Sequence, residues 1–358
     1  MIPFIDQGLN RCYRVKNKSG EEKTFLIRLS EPGDEKGMIE CIRDEYGDTY
    51  FKRSFYNEGF LAEKAKKKEI IFLVAEVIDT ALRTESPRTG EIAGMTILKD
   101  FYPEESMCEV ASQIFKKKYR GYGLSMIFFE HSMYMVENTN RTSVICLPVM
   151  FHDITQRLMK RFGLVATGLI MNVFDVEGII HSYDNGRNTK HSQGLQVKKI
   201  SKTKVGTLYI PREHIKFCKK IYRSLGVKYK ISRFSKYHRK TSFSEVTCAQ
   251  DANQNSLEIR IISIGDDVLE QVDRVLKKYP LRGKQTANIF LNINDENAVW
   301  LYEQLKNRDW FFAGLRPLCG RNEFMILHNC GETKVYFEDY HMSEEFRKIV
   351  EYIQKHRG

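Results

Sequence analysis

Proline is scarce in this chain and tryptophan nearly absent, with 8 Pro and 2 Trp among 358 residues. So little proline excludes a collagen-like or proline-rich low-complexity chain. No stretch reaches the roughly 18 uncharged apolar residues of a membrane-spanning helix. Runs such as Ile70–Ala75 and Val144–Phe151 have the length of buried strands. The opening MIPFIDQGLNRCYRVKNKSGEEK carries neither a long apolar segment nor a cleavage motif, so a cytoplasmic protein is expected. The eight cysteines, at 12, 41, 108, 146, 218, 248, 319 and 330, form no CxxC pair and have no histidine at ligand spacing. Buried, reduced thiols are expected rather than a disulfide framework or a zinc site. The nine histidines form no HExxH pattern, and metal chemistry is not indicated.

What is present is material for cores. Apolar residues make up 42% of the chain and aromatics 12%, which excludes a disordered protein. The length suggests two or three domains. Charge is unevenly placed. The net charge is +11, yet the window Gly186–Lys240 holds 17 Lys and Arg against one acid, Glu213, and so the rest of the chain sums to −5. Its densest part, Lys216–Lys240, has no acid and interleaves Phe and Tyr. That composition suits an anionic partner such as a nucleotide, RNA or an acidic membrane surface. It equally suits a solvated helix and linker.

Hydrophobic periodicity predicts the order β-α-α-β-β-β-α-β-α-β over the first half. The strands are 24–29, 70–77, 91–98, 108–115, 144–149 and 164–173. The helices are 34–45, capped by Asp34, then 57–68, 124–137 and 153–161. The first 23 residues read as a leader strand or arm. After the basic region come strand 257–264, helix 267–278, strand 287–293, helix 296–305 and strands 310–315 and 324–327. Ile145–Leu169 and Ile289–Leu315 both run strand, turn, helix, strand and both close on Gly-Leu. This ordered self-similarity points to duplication. The expected layout is an arm at 1–23, a domain at 24–204, a basic helix and linker at 205–255, and a second domain at 256–358.

One segment carries chemistry. A strand runs into KKKYRGYGLS and then a helix. Glycines at such a turn let backbone N–H groups converge, and the helix adds its own free N–H groups and the positive end of its dipole. The result suits a phosphate or pyrophosphate, with Lys116–Lys118 and Arg120 adding charge. It is neither a Walker loop, since GK followed by Ser or Thr is absent, nor the dinucleotide GxGxxG, because Met126 stands where the third glycine belongs.

At these residues the chain resembles the GNAT acetyltransferase superfamily, whose loop reads Gln/Arg-x-x-Gly-x-Gly/Ala after a Tyr. Here it stands as Tyr119-Arg120-Gly121-Tyr122-Gly123-Leu124-Ser125, with Ser125 in the last small position. The element order from Thr24 to about Val173 also matches. The resemblance implies two GNAT-like α/β (α+β) domains, each a mixed, mostly antiparallel sheet flanked by helices, with a splayed cleft in the first. It implies acetyl-CoA as co-substrate, its pantetheine arm along Gln113, Ile114 and Phe115 and its pyrophosphate on Arg120, Gly121, Tyr122, Gly123, Leu124 and Ser125. A primary amine of unidentified nature would attack the thioester directly.

For proton transfer the resemblance points to Glu109, on the strand entering the loop. The tyrosine that many relatives carry four residues before the glycine ending the next helix is replaced by Met159. Its role would pass to Tyr119, Tyr122, His152 or water. In the second half Asn294–Leu305 resembles the family's helix, with Tyr302 at the acid position, but no phosphate loop precedes it. That domain is expected to lack a CoA site. The leading expectation is an acetyl-CoA-dependent N-acetyltransferase. The alternatives are an aminoacyl-tRNA-dependent transferase or a non-catalytic module that senses CoA or binds RNA. Oligomeric state is not legible.

Overall fold

The structure, a computed structural model, describes residues 10–79, 88–102, 105–175, 187–232, 236–238 and 241–357. Residues 1–9 of the expected arm, and 186, 233–235 and 239–240 of the basic window, lie outside the described residues. Contacts divide the chain into two compact units, the described residues up to Val144 in one and those from Ile145 in the other.

In the N-terminal unit β1 (Arg11–Lys16), β2 (Glu22–Leu29), β3 (Ile71–Ile78), β4 (Arg88–Asp100) and β5 (Met107–Phe115) form an antiparallel meander in chain order. Part of the expected arm is therefore an edge strand. Between β2 and β3 come α1 (Glu35–Tyr46) and α2 (Glu58–Lys66), and α3 (Leu124–Glu137) follows β5. Met38, Ile39 and Ile42 of α1 and Leu61 of α2 share a core with Phe72, Val74, Met95, Ile97 and Ile114 of the sheet. Each such burial contributes about 1.5–3 kcal/mol. Gly37 lets α1 sit this close, because a Cβ there would fall 2.7 Å from Ile92 Cγ1.

Asp34 does not cap α1 with its side chain. Its carboxylate instead accepts from the buried Arg28 guanidinium at 2.6 and 2.9 Å, and Arg28 also pairs with Glu76 at 2.8 Å. A buried guanidinium needs its charge matched, and that demand outweighs one helix cap. Asn57 does cap α2, its Oδ1 accepting from Phe60 N–H at 2.9 Å.

After β6 (Ser143–Cys146), the C-terminal unit holds α4 (Ile154–Arg161), β7 (Val165–Asp175) and β8 (Lys190–Lys199). Next come β9 (Thr207–Tyr209), α5 (Ile215–Ser224) and β10 (Lys230–Ser232), with β9 and β10 paired in parallel. β11 (Glu245–Asp251), β12 (Ser256–Ser263), α6 (Val268–Lys278), β13 (Thr286–Asn292), α7 (Ala298–Lys306), β14 (Phe311–Cys319), β15 (Asn322–Asn329) and α8 (Glu344–His356) complete it. Its sheet runs β8-β7-β14-β15-β13-β12-β11, antiparallel except for the parallel pair β12–β13. The fold is thus α/β with mixed, mostly antiparallel sheets.

Two features differ from the expected layout. β7 pairs with β14, so residues from 145 onward pack with the C-terminal half, and the units part at 144 rather than between 204 and 255. The segment 205–255 also contains three strands besides its helix. None of the eight cysteines forms a disulfide, and Cys12 and Cys248 are exposed rather than buried. No described helix is long and apolar enough to cross a membrane.

Candidate functional site

β5 delivers the glycine loop and is itself irregular. Met95 pairs with Ile114 and Ile97 with Ala111, so Ser112 and Gln113 together oppose Thr96. This is a β-bulge, with Ser112 at φ +49°, and a bulge turns backbone groups out of the ladder. The Phe115 ring lies where a Cβ on Gly94 would come within 2.2 Å, and it meets Phe128 of α3 edge-on. Gln113 Nε2 donates to Ser125 O at 3.1 Å, tying the bulge to the first turn of α3. Ile114 is buried in the core.

A single helical turn, Lys117–Tyr119, then leads into the loop. Gly121 and Gly123 have φ of +89° and +76°, and Gly123 is the left-handed residue that opens α3. The Arg120 N–H donates to Lys117 O. The N–H groups of Gly121, Tyr122, Gly123, Leu124 and Ser125 meet no acceptor among the described residues. A Cβ on Gly123 would meet nothing within 4 Å. Five donors without an acceptor among the described residues thus stand in sequence at the positive end of a 14-residue helix, and the space beside Gly123 is open.

Side chains around the loop behave differently from the expectation. Arg120 pairs with Glu45, Lys116 with Glu40 at 2.9 Å, and Lys118 with Glu91 at 2.5 Å. Asp44 accepts from the Lys117 N–H at 2.6 Å. Three of the four cations expected to screen a phosphate are therefore paired by α1 and β4, which leaves the backbone donors and the Lys117 ammonium as the anion-binding elements. Tyr119 and Tyr122 point inward, both rings edge-on to Phe25 at 5.6 Å. The Tyr119 hydroxyl is held by Glu91, and burial together with that carboxylate pushes its pKa up. Tyr122 is bound by Asn17 and Glu21, and burial and Glu21 push it up to about 12. Both phenols keep their protons and anchor the loop.

Glu109 sits on β5 in the same unit, buried, with Lys99 Nζ 2.9 Å from its Oε2. Burial works to raise its pKa, but Lys99 and Lys52 outweigh it and hold the carboxyl below its ordinary value. It is a paired carboxylate, held in its ionised form. Sequence reading missed its neighbour Lys52, whose Nζ donates to Ser112 Oγ at 3.1 Å. Tyr50 and Ser112 hydroxyls bond at 2.9 Å. Burial lowers the Lys52 pKa to about 8 against the opposing pull of Glu109. Its signal in the sequence was a lysine set between aromatics, Phe51 and Phe55, whose rings it faces at 5.5 and 5.4 Å.

Of the expected site residues, Glu109, Gln113–Phe115 and Tyr119–Ser125 belong to the N-terminal unit, and His152 belongs to the other. His152 precedes α4, its ring edge-on to Phe151, and burial lowers its pKa. Met159 is buried within α4. Tyr302 is buried and donates to Glu213 Oε1 at 3.0 Å while bonding His214 Nε2 at 2.8 Å.

No family model matches the sequence, and no curated protein matches it. Solved structures are similar to about half of it. An N-acetyltransferase from Staphylococcus aureus is 11% identical, covering 49% of this chain and 99% of its own, with a TM-score of 0.39. A GNAT superfamily phosphinothricin acetyltransferase from Sinorhizobium meliloti, in complex with AcCoA, is 13% identical over 49% of this chain and 89% of its own, with a TM-score of 0.38. The ribosomal-protein-S18-alanine N-acetyltransferase from Escherichia coli is 11% identical over 50% and 96%, with a TM-score of 0.37.

Proposed function

We propose that this chain is a GNAT-type N-acetyltransferase that moves an acetyl group from acetyl-CoA directly to a primary amine. The observation that carries the reading is the run of five N–H groups at Gly121–Ser125 that meet no acceptor among the described residues, with positive φ at Gly121 and Gly123 and open space beside Gly123. That geometry fits a pyrophosphate, whose oxygens accept from converging backbone donors. When bound, acetyl-CoA supplies the thioester carbonyl that the amine attacks and the thiolate that leaves.

The chain's own residues do the rest. Gly121–Ser125 hold the phosphates, and the β5 backbone at Gln113, Ile114 and Phe115 orients the pantetheine arm. The bulge at Ser112–Gln113 offers an N–H for the charge that develops on the carbonyl oxygen. Holding both reactants in line supplies much of the rate. Lys52, lowered to about 8, takes the ammonium proton in its neutral form, and Glu109, kept ionised, sets how readily it does so.

A second reading is a CoA-binding module without turnover, favoured by Met159 at the expected acid position and by the engaged Tyr119 hydroxyl. Titrating the purified chain with acetyl-CoA, then following thiol release across a panel of amines, separates the two. Binding with amine-dependent release supports transfer. Binding without release supports the second reading, and no binding overturns both.

A further inference from the structure

The charge of the basic window concentrates on α5. This helix carries Lys216, Lys219, Lys220 and Arg223 and no acid. None of the four has an ion-pair partner among the described residues. The loop cations Lys116, Lys118 and Arg120, by contrast, are all paired. Lys216 and Lys220 stand four residues apart, on one face with roughly 5–6 Å between Cβ atoms, a spacing at which like charges destabilise a helix by a few tenths of a kcal/mol. An anion between them would remove that repulsion.

Those two lysines border a cavity of about 420 Å³ within the C-terminal unit. Phe217 and Ile221 of α5 and Ile349 of α8 give it apolar walls, and Lys348 of α8 faces in as well. Lys348 is paired with Glu344 at 2.5 Å, and Glu345, the carboxylate lining the cavity, is paired with Lys160 at 3.2 Å. The unbalanced charge at the cavity is therefore that of Lys216 and Lys220. A volume of this size matches small-molecule pockets, in which apolar walls hold the body and a few polar groups fix orientation.

The same helix does not fit a single-stranded nucleic acid. Such proteins present exposed aromatic platforms beside their cations. Here the interleaved aromatics are engaged internally: Tyr222 is buried and donates to Glu323 at 2.7 Å, and Phe217 stacks on Tyr352 at 4.5 Å.

We propose that the cavity between α5 and α8 binds a small amphipathic anion, its apolar body against Phe217, Ile221 and Ile349 and its carboxylate or phosphate head on Lys216 and Lys220. The site is independent of the glycine loop and of the acetyl-transfer reading.

The test is calorimetry on the full chain with decanoate, decyl phosphate, decanol and decyltrimethylammonium. Decanoate or decyl phosphate should bind at least about tenfold more tightly than the alcohol or the cation, a gap of about 1.4 kcal/mol. The tighter of the two anions identifies the head group. The double variant Lys216→Glu/Lys220→Glu should lose at least about tenfold in anion affinity. Lys219→Glu/Arg223→Glu changes the same helix by the same charge away from the cavity and should keep it. All four positions are at least partly solvent-accessible, and a retained melting transition shows that each variant folds. Equal binding of decanol and decanoate would overturn the proposal, as would equal loss in the two double variants or no binding by either anion. A short RNA that binds wild type and is lost from both variants, with decanoate unaffected, would reassign α5 to nucleic acid.

Discussion

Gly168 of β7 and Gly314 of β14 pair with each other at a point where neither has room for a Cβ. Built on Gly168, a Cβ would lie 2.9 Å from Gly314 Cα; built on Gly314, it would lie 2.2 Å from Gly168 Cα. Each glycine is the last but one residue of a copy of the internal repeat, Ile145–Leu169 and Ile289–Leu315. Thr167 Oγ1 reinforces the junction by donating to Leu315 O at 2.9 Å. The two similar stretches are thus joined through the Gly-Leu they share, inside one compact unit.

Alanine at either glycine should therefore destabilise the C-terminal unit. Overpacking of this kind costs about 1–3 kcal/mol, and each kcal/mol lowers Tm by roughly 2–4 °C in a unit of this size. Gly314→Ala should be the worse of the two, since its φ of +131° adds backbone strain to the closer overlap. Thermal melts of both variants check the order. Wild-type Tm in Gly314→Ala would mean the strands part without cost.

Gly123→Glu should weaken acetyl-CoA binding by about 100-fold, or about 2.7 kcal/mol. Its carboxylate would enter the open space beside the loop donors and repel a phosphate there. The fold should survive, because nothing lies within 4 Å of that Cβ. Gly123→Ala tests the backbone alone, at about 1 kcal/mol of left-handed strain, and should retain most of the affinity. Calorimetry on both variants reads the difference; equal affinity for wild type and the glutamate variant would take the loop out of phosphate binding.

Lys52 and Glu109 should leave opposite signatures in pH titrations. The folded Lys52 pKa, near 8, lies below that of an exposed lysine. Between about 8 and about 10.5 the unfolded chain binds more protons, so stability rises with pH there. Lys52→Met should flatten part of that rise; Lys190, also lowered by burial to about 8, keeps the remainder. Glu109, held low by Lys99 and Lys52, stabilises at neutral pH and loses that contribution as pH falls through its folded value. Under the acetyl-transfer reading, Glu109→Gln should lower turnover and, by removing Lys52's attractive partner, shift the pH–rate profile toward acid. An unmoved profile would leave Glu109 a structural ion pair.

His214 should make the C-terminal unit acid-sensitive. Its ring is buried between the hydroxyls of Tyr352 and Tyr302 at 2.9 and 2.8 Å and stacks on Phe312 at 4.1 Å. Burial pulls its pKa down to about 3. The unfolded chain takes up a proton near 6.5 and the folded one near 3, so stability falls as pH drops through that window. His214→Phe should be less stable at pH 7 but lose less on acidification. His328, also near 3, leaves a residual slope. Denaturation midpoints at pH 7 and pH 4.5 give the comparison, and parallel losses in the two proteins would remove His214 from the acid response.

The local elements around the glycine loop were legible because they depend on near neighbours. Helix α3 appears over 124–137 as its apolar spacing predicts, and both loop glycines adopt the positive φ that a tight strand-to-helix turn admits. Lys116, Lys118 and Arg120 beside them were misread. Their partners Glu40, Glu45 and Glu91 lie far away in sequence, and no spacing rule reaches that distance. Lys52 escaped notice for the same reason, since an ordinary surface lysine and one half-buried beside Ser112 have the same letter.

By itself the sequence determined what depends on near neighbours: the period of most helices and strands, the positive-φ turn at Gly121 and Gly123, and the two stretches ending in Gly-Leu. Side-chain alternation and hydrogen bonds within a turn span only a few residues, so composition over that range decides them. Tertiary structure alone decided that Gly168 meets Gly314, that the units part at 144, that Arg28 takes Asp34 from its helix, and that Lys52 titrates near 8. Each depends on burial and on charges brought together by long-range packing, and the free energies of desolvation and pairing belong to that environment rather than to the residue.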